Sequence, residues 1–131
     1  MKILTIATNL LCVLLLTQTV DAQSLELYDL RCEYKTNPIG IDAVQARLSW
    51  KIESDQRGVM QTAYHIQVAA SEKDLMRGRR LLWDSGKVDS DQSNHIRYAG
   101  EPLQARQRVY WHVRIWDTQN GESDWSSPAY W

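Results

Sequence analysis

The segment RVYWHVRIWD, Arg108–Asp117, is the densest run of β-branched and aromatic residues downstream of the apolar N-terminus. Every second residue from Val109 to Ile115 is apolar, whereas the alternate positions mix aromatic and polar side chains. Because side chains on a β-strand point to opposite faces in turn, this pattern predicts a strand with one apolar and one amphipathic face. We therefore expect a central strand whose apolar face lies in the core.

Further short strands are expected on both sides of this segment. Apolar and polar residues alternate within them, and Gly, Pro, Asn and Ser separate them. The expected strands are Leu25–Tyr34, Ala46–Glu53, Gln61–Ala70, Leu81–Asp84, a pair of residues at Ile96 and Tyr98, and a last strand around Trp125–Trp131. A capped helical turn at most is expected from Ser71 to Gly78. This order favours an antiparallel β-sandwich of about seven strands.

The alternation also assigns side chains of the third strand to faces. The inward positions are expected to be Tyr64, Ile66, Val68 and Ala70, and the outward positions Ala63, His65 and Gln67.

The N-terminus has the pattern of a secretory signal peptide over residues 1–22. Lys2 precedes an apolar run from Ile3 to Leu16, and Ala22 is the expected cleavage position. The alternative is a retained membrane anchor, but the run is shorter than the roughly 18 apolar residues that a spanning helix needs. Cleavage would leave residues 23–131 as one small exported domain, with no membrane association.

Charge and cysteine content exclude several classes of function. The formal net charge is −1, which gives no electrostatic reason to expect a nucleic-acid or anionic-membrane partner. Cys32 is the only cysteine after the signal peptide, so no internal disulfide is expected. Because Cys32 alternates with Leu30 and Tyr34, we expect a buried, inert thiol.

The outer face of the central strand is the candidate functional surface. It carries Tyr110, His112, Arg114 and Trp116. Three interpretations remain open: docking of another domain, a plain aromatic sheet surface, and direct contact with sugar rings.

A metal site is weakly indicated. His65 and His112 both point outward and are expected on neighbouring strands, but a third ligand is missing, so a solvated sheet face is the better interpretation. His95 has no partner by sequence. We therefore expect no metal, no other cofactor and no catalytic residue in this chain.

Three aromatic residues resemble the landmarks of a fibronectin type III domain: Trp50, Tyr64 and Trp111, with Trp111 where Tyr is usual. Five strings of the sequence carry a more specific family resemblance. The strings are LRCEYKTNPIGIDAVQARLSW (30–50), QTAYHIQVAAS (61–71), LWDSGKV (82–88), YWHVRIWD (110–117) and DWSSPAYW (124–131). In this order they are similar to the N-terminal fibronectin type III-like domain of bacterial α-L-rhamnosidases.

The resemblance implies an activity located outside these residues. It implies a pair of glutamates, acting as acid and base in a downstream (α/α)6 barrel that these 131 residues do not include. Glycoside hydrolysis needs two carboxyls roughly 5 to 9.5 Å apart in a cleft. The close acidic pairs of this chain lie at strand ends and turns, where solvated loop residues are expected. These pairs are Glu53 with Asp55, Asp89 with Asp91, and Glu122 with Asp124.

The resulting hypothesis is a non-catalytic N-terminal module of an exported glycoside hydrolase, located in the periplasm or outside a bacterial cell. Its partners would be the downstream domains of the same enzyme. The alternative is a free-standing carbohydrate-binding or adhesion module that binds a rhamnose-containing glycan through exposed aromatic residues. A third hypothesis, an interaction module of the kind found in cell-surface receptors, rests only on the segment Ser123–Ser126.

Overall fold

Two antiparallel sheets form the fold. The computed structural model describes residues 25–119 and 121–131, and the signal peptide expected over residues 1–22 lies outside them. The strands are β1 (Leu25–Cys32), β2 (Arg47–Ser54), β3 (Gln61–Ala69), β4 (Leu81–Asp84), β5 (Ile96–Arg97), β6 (Tyr110–Asp117), β7 (Gly121–Glu122) and β8 (Ala129–Tyr130). One sheet has the order β1-β2-β5, and the other has the order β4-β3-β6-β7, with β8 also paired to β6. Since β7 and β8 both pair with β6, they act as two pieces of one edge strand, and the expected β-sandwich is confirmed.

The apolar face of β6 lies at the centre of the core, as its alternation predicts. Val109, which precedes the strand, and Trp111, Val113 and Ile115 within it have no exposed surface. They belong to one apolar cluster with residues of β1, β2 and β3. Burial of this apolar surface is the main stabilising contribution to such a fold.

Trp50 of β2 is buried with its polar atom satisfied. Its Nε1 donates to Gln61 Oε1 at 3.0 Å, and Gln61 Nε2 donates in turn to the carbonyls of Ser90 and Gln92. Its ring meets Tyr64 edge-on, with centroids 5.5 Å apart. The connection between β4 and β5, which contains Ser90 and Gln92, is therefore hydrogen-bonded through Gln61 to the buried Trp50.

β1 ends earlier than the alternation predicts. Glu33 and Tyr34 have φ angles of 50° and 63°, so they leave the extended region. Cys32 and Lys35 exchange backbone hydrogen bonds of 2.9 and 3.0 Å across them. This is a two-residue turn with both central residues left-handed, a geometry that usually takes Asn-Gly.

The prediction that Ala70 faces the core is wrong, and Ala63, which was expected on the outward face, is buried. The register between β3 and β4 shifts between Val68 and Ala69. Both of these residues are fully buried, and Ala70 is exposed. Such a bulge inverts the alternation after it, which a period of two cannot anticipate.

The expected last strand is interrupted around Trp125. Ser123 Oγ accepts from the backbone N–H of Ile115 at 2.9 Å, and Ser126 Oγ accepts from that of Val113 at 3.1 Å. The backbone N–H groups of the two serines donate back to the same residues at 2.8 Å. Serine hydroxyls thus replace part of the β-ladder, and Trp125 between them turns over the outer face of β6.

The helical segment is longer than the single turn expected. Helix α1 (Glu72–Arg77) begins after Ser71, whose side chain accepts from Asp74 N at 3.1 Å, and it ends at Gly78 with φ 62°. Leu75 is 1% exposed. The helix therefore covers β3 and β6 at one edge, although Leu75 lies outside the main core cluster.

Candidate functional site

The outer face of β6 carries the predicted site residues, but it is less open than expected. His65 is opposite Arg114 in the register with β3, and Gln67 is opposite His112. His112 is 3% exposed, and Tyr110, Arg114 and Trp116 are only half-buried rather than open. The expectation that His112 and His65 are solvated is wrong, because another part of the chain covers them.

Trp125 is the cover. Its ring stacks on the imidazole of His112 with centroids 4.0 Å apart and an interplanar angle of 14°, and it meets His65 edge-on at 5.0 Å. The Arg114 guanidinium lies 4.5 Å from the centroid of the Trp125 ring. Trp125 therefore excludes water from both histidines, while Arg114 lies over its ring.

A line of hydrogen bonds runs beneath this ring. Arg114 Nε and Nη2 donate to His65 Nδ1 at 3.3 and 3.1 Å, so His65 Nε2 carries the proton and donates to Asp84 Oδ1 at 2.5 Å. Gln67 Nε2 donates to Asp84 Oδ2 at 3.3 Å, and His112 Nε2 donates to Gln67 Oε1 at 3.0 Å. Both histidines are thereby set in one tautomer.

The environment shifts two pKa values in this line. Burial lowers the pKa of His112 to about 4, and the nearby positive charge of Arg114 acts in the same direction. His112 Nδ1 is buried and meets no hydrogen-bond partner in residues 25–119 and 121–131. Burial alone would raise the pKa of Asp84, but hydrogen bonds from the Gly86 backbone, His65 and Gln67 bring it below the ordinary value. The site therefore holds a neutral His112 and an ionised Asp84.

Cationic and aromatic groups alternate along the rest of the face. Arg114 lies 5.4 Å from the Trp116 ring centroid, and Lys87 lies 4.9 Å from the same centroid. Arg114 also pairs with Glu122. We call the set Lys87, Trp116, Arg114, Trp125 and His112 the outer-face ladder. Cation–π contacts of this kind stabilise the packing of long side chains on a sheet surface.

This arrangement is suited to packing rather than to chemistry. The His65 and Asp84 pair resembles an acid–base pair, but His65 is 8% exposed and its second nitrogen already accepts from Arg114. His65 is therefore closed to a substrate atom, whereas the Asp84 carboxylate is exposed but already accepts from His65 and Gln67. The six carboxylates of the close acidic pairs are all exposed, outside any cleft.

Metal-binding geometry is also lacking among these side chains. Within residues 25–119 and 121–131, no three His, Cys, Asp or Glu side chains come together as a ligand group. His95, for which the sequence offered no partner, contacts Tyr34: the hydroxyl lies 2.8 Å from His95 Nε2. Cys32 is 1% exposed, and burial raises the pKa of its thiol to about 12.

Sequence reasoning missed Trp125 and Asp84 as parts of this face. The serines that flank Trp125 were the available signal, since they mark an interruption of the last strand. Asp84 gave no signal, because it is the last residue of a short strand, β4, whose partner is not evident from the sequence.

A second surface lies at the connection from β1 to β2, residues 33–46. A depression of about 480 Å³ is lined there by Glu33, Ala43, Val44, Gln45, Arg47 and Arg97. Arg47 donates to both oxygens of Glu33, with Nη2 to Oε2 at 2.7 Å. This pairing lowers the pKa of Glu33. The lining thus combines charged side chains with the apolar Ala43 and Val44.

The two sheets and the covered outer face define an immunoglobulin-like β-sandwich domain. Residues 27–131 match the family described as "Rha78A-like, N-terminal immunoglobulin domain". The chain belongs to this family.

The relatives of the chain are α-L-rhamnosidases. An α-L-rhamnosidase of Streptomyces avermitilis is 46% identical over 99 residues, which are 76% of this chain and 9% of that enzyme. One of Formosa agariphila is 43% identical over 96 residues, 73% of this chain and 10% of the enzyme. The chain thus spans about a tenth of the length of the curated relatives it matches.

Solved structures agree with the fold. The Streptomyces avermitilis α-L-rhamnosidase complexed with L-rhamnose superposes with a TM-score of 0.77 at 42% identity, covering 82% of this chain and 10% of that one. The α-L-rhamnosidase from Dictyoglumus thermophilum gives a TM-score of 0.76 at 34% identity, covering 80% of this chain and 12% of that one.

Among the described residues, no helix has the length and apolar character needed to cross a bilayer.

Proposed function

We propose that this chain is a non-catalytic accessory module of an α-L-rhamnosidase, which packs against the other domains of that enzyme and helps to position them. The observation that carries this proposal is the match of residues 27–131 to the N-terminal immunoglobulin domain of enzymes about ten times longer. The whole enzyme would hydrolyse α-L-rhamnosides, and its acid and base would belong to another domain.

The internal saturation of the outer face supports a structural role. Its polar atoms bond mainly to one another, from Arg114 through His65, Asp84 and Gln67 to His112. A catalytic acid or base must reach a substrate proton within hydrogen-bond distance. His65 and His112, which are buried against Trp125 and bonded to internal partners, do not meet this requirement.

Export is part of the proposal. The pattern of residues 1–22 favours a signal peptide with cleavage after Ala22, followed by a domain from residue 23 to residue 131. The enzyme would act in the bacterial periplasm or outside the cell. N-terminal sequencing of the secreted protein tests the cleavage position.

The outer face remains a proposed docking surface at its two ends. Tyr110 and Trp116 are half-buried and therefore retain accessible ring area, whereas His112 between them does not. A neighbouring domain on this face would contact the ring edges and Arg114.

Direct binding of a rhamnose-containing glycan is the competing proposal, and the geometry of Trp116 disfavours it. Stacking of a sugar ring needs an open aromatic face. Cationic groups of Arg114 and Lys87 lie over the Trp116 ring, at 5.4 and 4.9 Å from its centroid. Titration with rhamnose-containing glycans, followed by Trp fluorescence, tests this alternative. Saturable binding that is lost in Trp116→Ala would favour it.

A domain graft tests the accessory role. Residues 25–131 replace the equivalent domain in the Streptomyces avermitilis enzyme, which is similar enough in sequence for its interface to be matched. We expect the enzyme without this domain to unfold at a lower temperature, and the graft to restore most of the difference. An unrelated β-sandwich of the same size is the control and should restore nothing. Equal unfolding temperatures with and without the graft would contradict the proposal.

A further inference from the structure

The connection between β1 and β2 exposes three large side chains with apolar surface. Ile39 is 83% exposed, Val44 is 88% exposed and Tyr34 is 54% exposed. These three residues lie within residues 34–44, and we call them the loop patch. Single exposed apolar residues are ordinary on a protein surface, but several on one short connection are typical of an interaction site.

The start of the connection is held in a defined shape. Glu33 and Tyr34 are left-handed, and side chains hold that turn: Glu33 accepts from the backbone N–H of Arg47 at 2.7 Å, and the Arg47 guanidinium lies 4.9 Å from the Tyr34 ring centroid. His95 contacts the Tyr34 hydroxyl. Strained backbone of this kind persists where its surroundings fix it and often marks a functional segment. A preorganised surface also loses less conformational entropy on binding.

The loop patch is also next to the end of the last strand. Asn37, with φ 45°, accepts from the backbone N–H of Tyr130 through Oδ1 at 3.0 Å, and the adjacent Pro38 is buried. The backbone of Trp131 pairs with Val109 at the start of β6. The patch therefore lies at the end of the sandwich from which a polypeptide continuing beyond residue 131 would leave.

We propose that the loop patch docks the domain that follows this one in the full-length α-L-rhamnosidase. This inference rests on the proposed accessory function and assigns that function to a particular surface. In a full-length enzyme of the size of these relatives, a domain that followed residue 131 would be tethered close to Asn37 and Tyr130, so its effective concentration at the patch would be on the order of millimolar. A weak apolar contact is sufficient for docking under that condition.

Charge defines the partner surface further. Arg97 lines the depression beside Val44 and forms no salt bridge within residues 25–119 and 121–131, whereas Arg47 is committed to Glu33. The docked surface is thus an apolar area that receives Ile39 and Val44, with a carboxylate at its rim facing Arg97. An apolar centre with a polar rim is the usual composition of such interfaces.

This surface is better suited to docking than the centre of the outer face. At the outer face, Trp125 and the ladder already cover the strand, and His112 is 3% exposed. Docking there would have to displace contacts that the domain makes within itself. At the loop patch, apolar area is removed from water without the loss of an internal contact of Ile39 or Val44.

The graft in the Streptomyces avermitilis enzyme provides the test. The double variant Ile39→Ser, Val44→Ser is compared with the unaltered graft, and Met60→Ser, Met76→Ser serves as the matched control at two other exposed apolar positions. We expect the first variant to lose most of the gain in unfolding temperature conferred by the graft. In the unaltered graft, docking should slow hydrogen exchange of residues 33–46 relative to the isolated chain, and the first variant should lose this additional protection. The control should keep both. In the isolated chain, neither variant should move the unfolding temperature by more than roughly 4 °C, as expected for exposed sites.

The outcomes separate this inference from the proposed function. If the unaltered graft stabilises the enzyme and the double variant stabilises it equally, the loop patch is not the docking surface, and the accessory role stands. If the unaltered graft fails to stabilise the enzyme, the accessory role itself fails. A third outcome, self-association of the isolated chain in sedimentation that the double variant abolishes, would assign the patch to a second copy and overturn the inference.

Discussion

The Trp125 ring lies parallel to the imidazole of His112, 4.0 Å from it between centroids, and it seals the outer face of the central strand. This contact joins β6 itself to the segment around Trp125, which is hydrogen-bonded to β6 through Ser123 and Ser126. It turns a face that looks functional in the sequence into a packed layer.

Removal of this ring should destabilise the domain. Trp125→Ala deletes a large, partly buried aromatic side chain and its contacts with His112, His65 and Arg114. We expect a loss of about 2–4 kcal/mol in the free energy of unfolding, measured by urea denaturation. Met76→Ala, at an exposed helical position, should change it by less than about 0.5 kcal/mol. A Trp125→Ala protein as stable as this control would show that the cover contributes nothing.

Acidification should destabilise the domain through His112. The pKa of His112 in the folded state is lowered to about 4, below its ordinary value of 6.5, so the unfolded chain binds the proton more tightly. Stability is therefore full above pH 6.5, falls as the pH drops from 6.5 to 4, and levels off below that for this group. The loss should reach at most about 3 kcal/mol.

The variant His112→Gln isolates this contribution. Its unfolding free energy, measured by urea denaturation at a series of pH values, should be flatter between pH 6.5 and 4 than that of the unaltered protein. The carboxylates Asp29, Glu33 and Asp84, whose pKa values are lowered, act at still lower pH and should lose their contribution in both proteins. An unchanged slope in the variant would assign the pH dependence to another group.

The sequence predicts which residues share a face of a strand, but not what covers that face. Alternation predicts the buried face of β6 correctly, because Val109, Trp111, Val113 and Ile115 are defined by local periodicity alone. The same alternation assigns His112 to the outer face, but it cannot tell what covers that face. Burial of His112 depends on Trp125, whose position follows from two serine hydroxyls in a distorted edge strand.

Long-range contacts account for the other differences. His95 lies 61 residues from Tyr34 and meets it only after the two sheets assemble. Ala70 is displaced to the surface by a one-residue register shift that no repeat of apolar residues signals. The candidate docking surface could not be predicted from the sequence either, because the exposure of Ile39 and Val44 is a property of the folded loop. Only the family resemblance of the string over residues 30–50 is visible in the sequence.

Gly100 is required by close packing rather than by its backbone angle. A Cβ at this position would lie 2.5 Å from the Leu82 carbonyl oxygen and 2.6 Å from the Tyr98 hydroxyl. We expect Gly100→Ala to cost about 2–3 kcal/mol in unfolding free energy, because backbone and a buried tyrosine must move. Gly86→Ala, which has open space but φ 60°, should cost about 1 kcal/mol through strain alone. Equal effects of the two substitutions in thermal unfolding would contradict the packing explanation.

The Cys32 thiol should be inert in the folded protein. Burial raises its pKa to about 12, so the reactive thiolate does not form at pH 8. The residue is also only 1% exposed, so a reagent cannot reach the sulfur. A chromogenic disulfide reagent should label it only at the rate of unfolding, and completely in denaturant. Fast labelling of the native protein would show that β1 opens locally.

The central claim is that this β-sandwich contributes packing and position, and no chemistry, to an α-L-rhamnosidase. The most direct measurement is the hydrolysis of an aryl α-L-rhamnoside by the purified chain over a range of protein concentrations. We predict a rate equal to that of buffer at every concentration, because the described residues assemble no pair of carboxyls in a cleft. A saturable rate that rises in proportion to the concentration of folded chain, and that is lost on heat unfolding, would contradict the account.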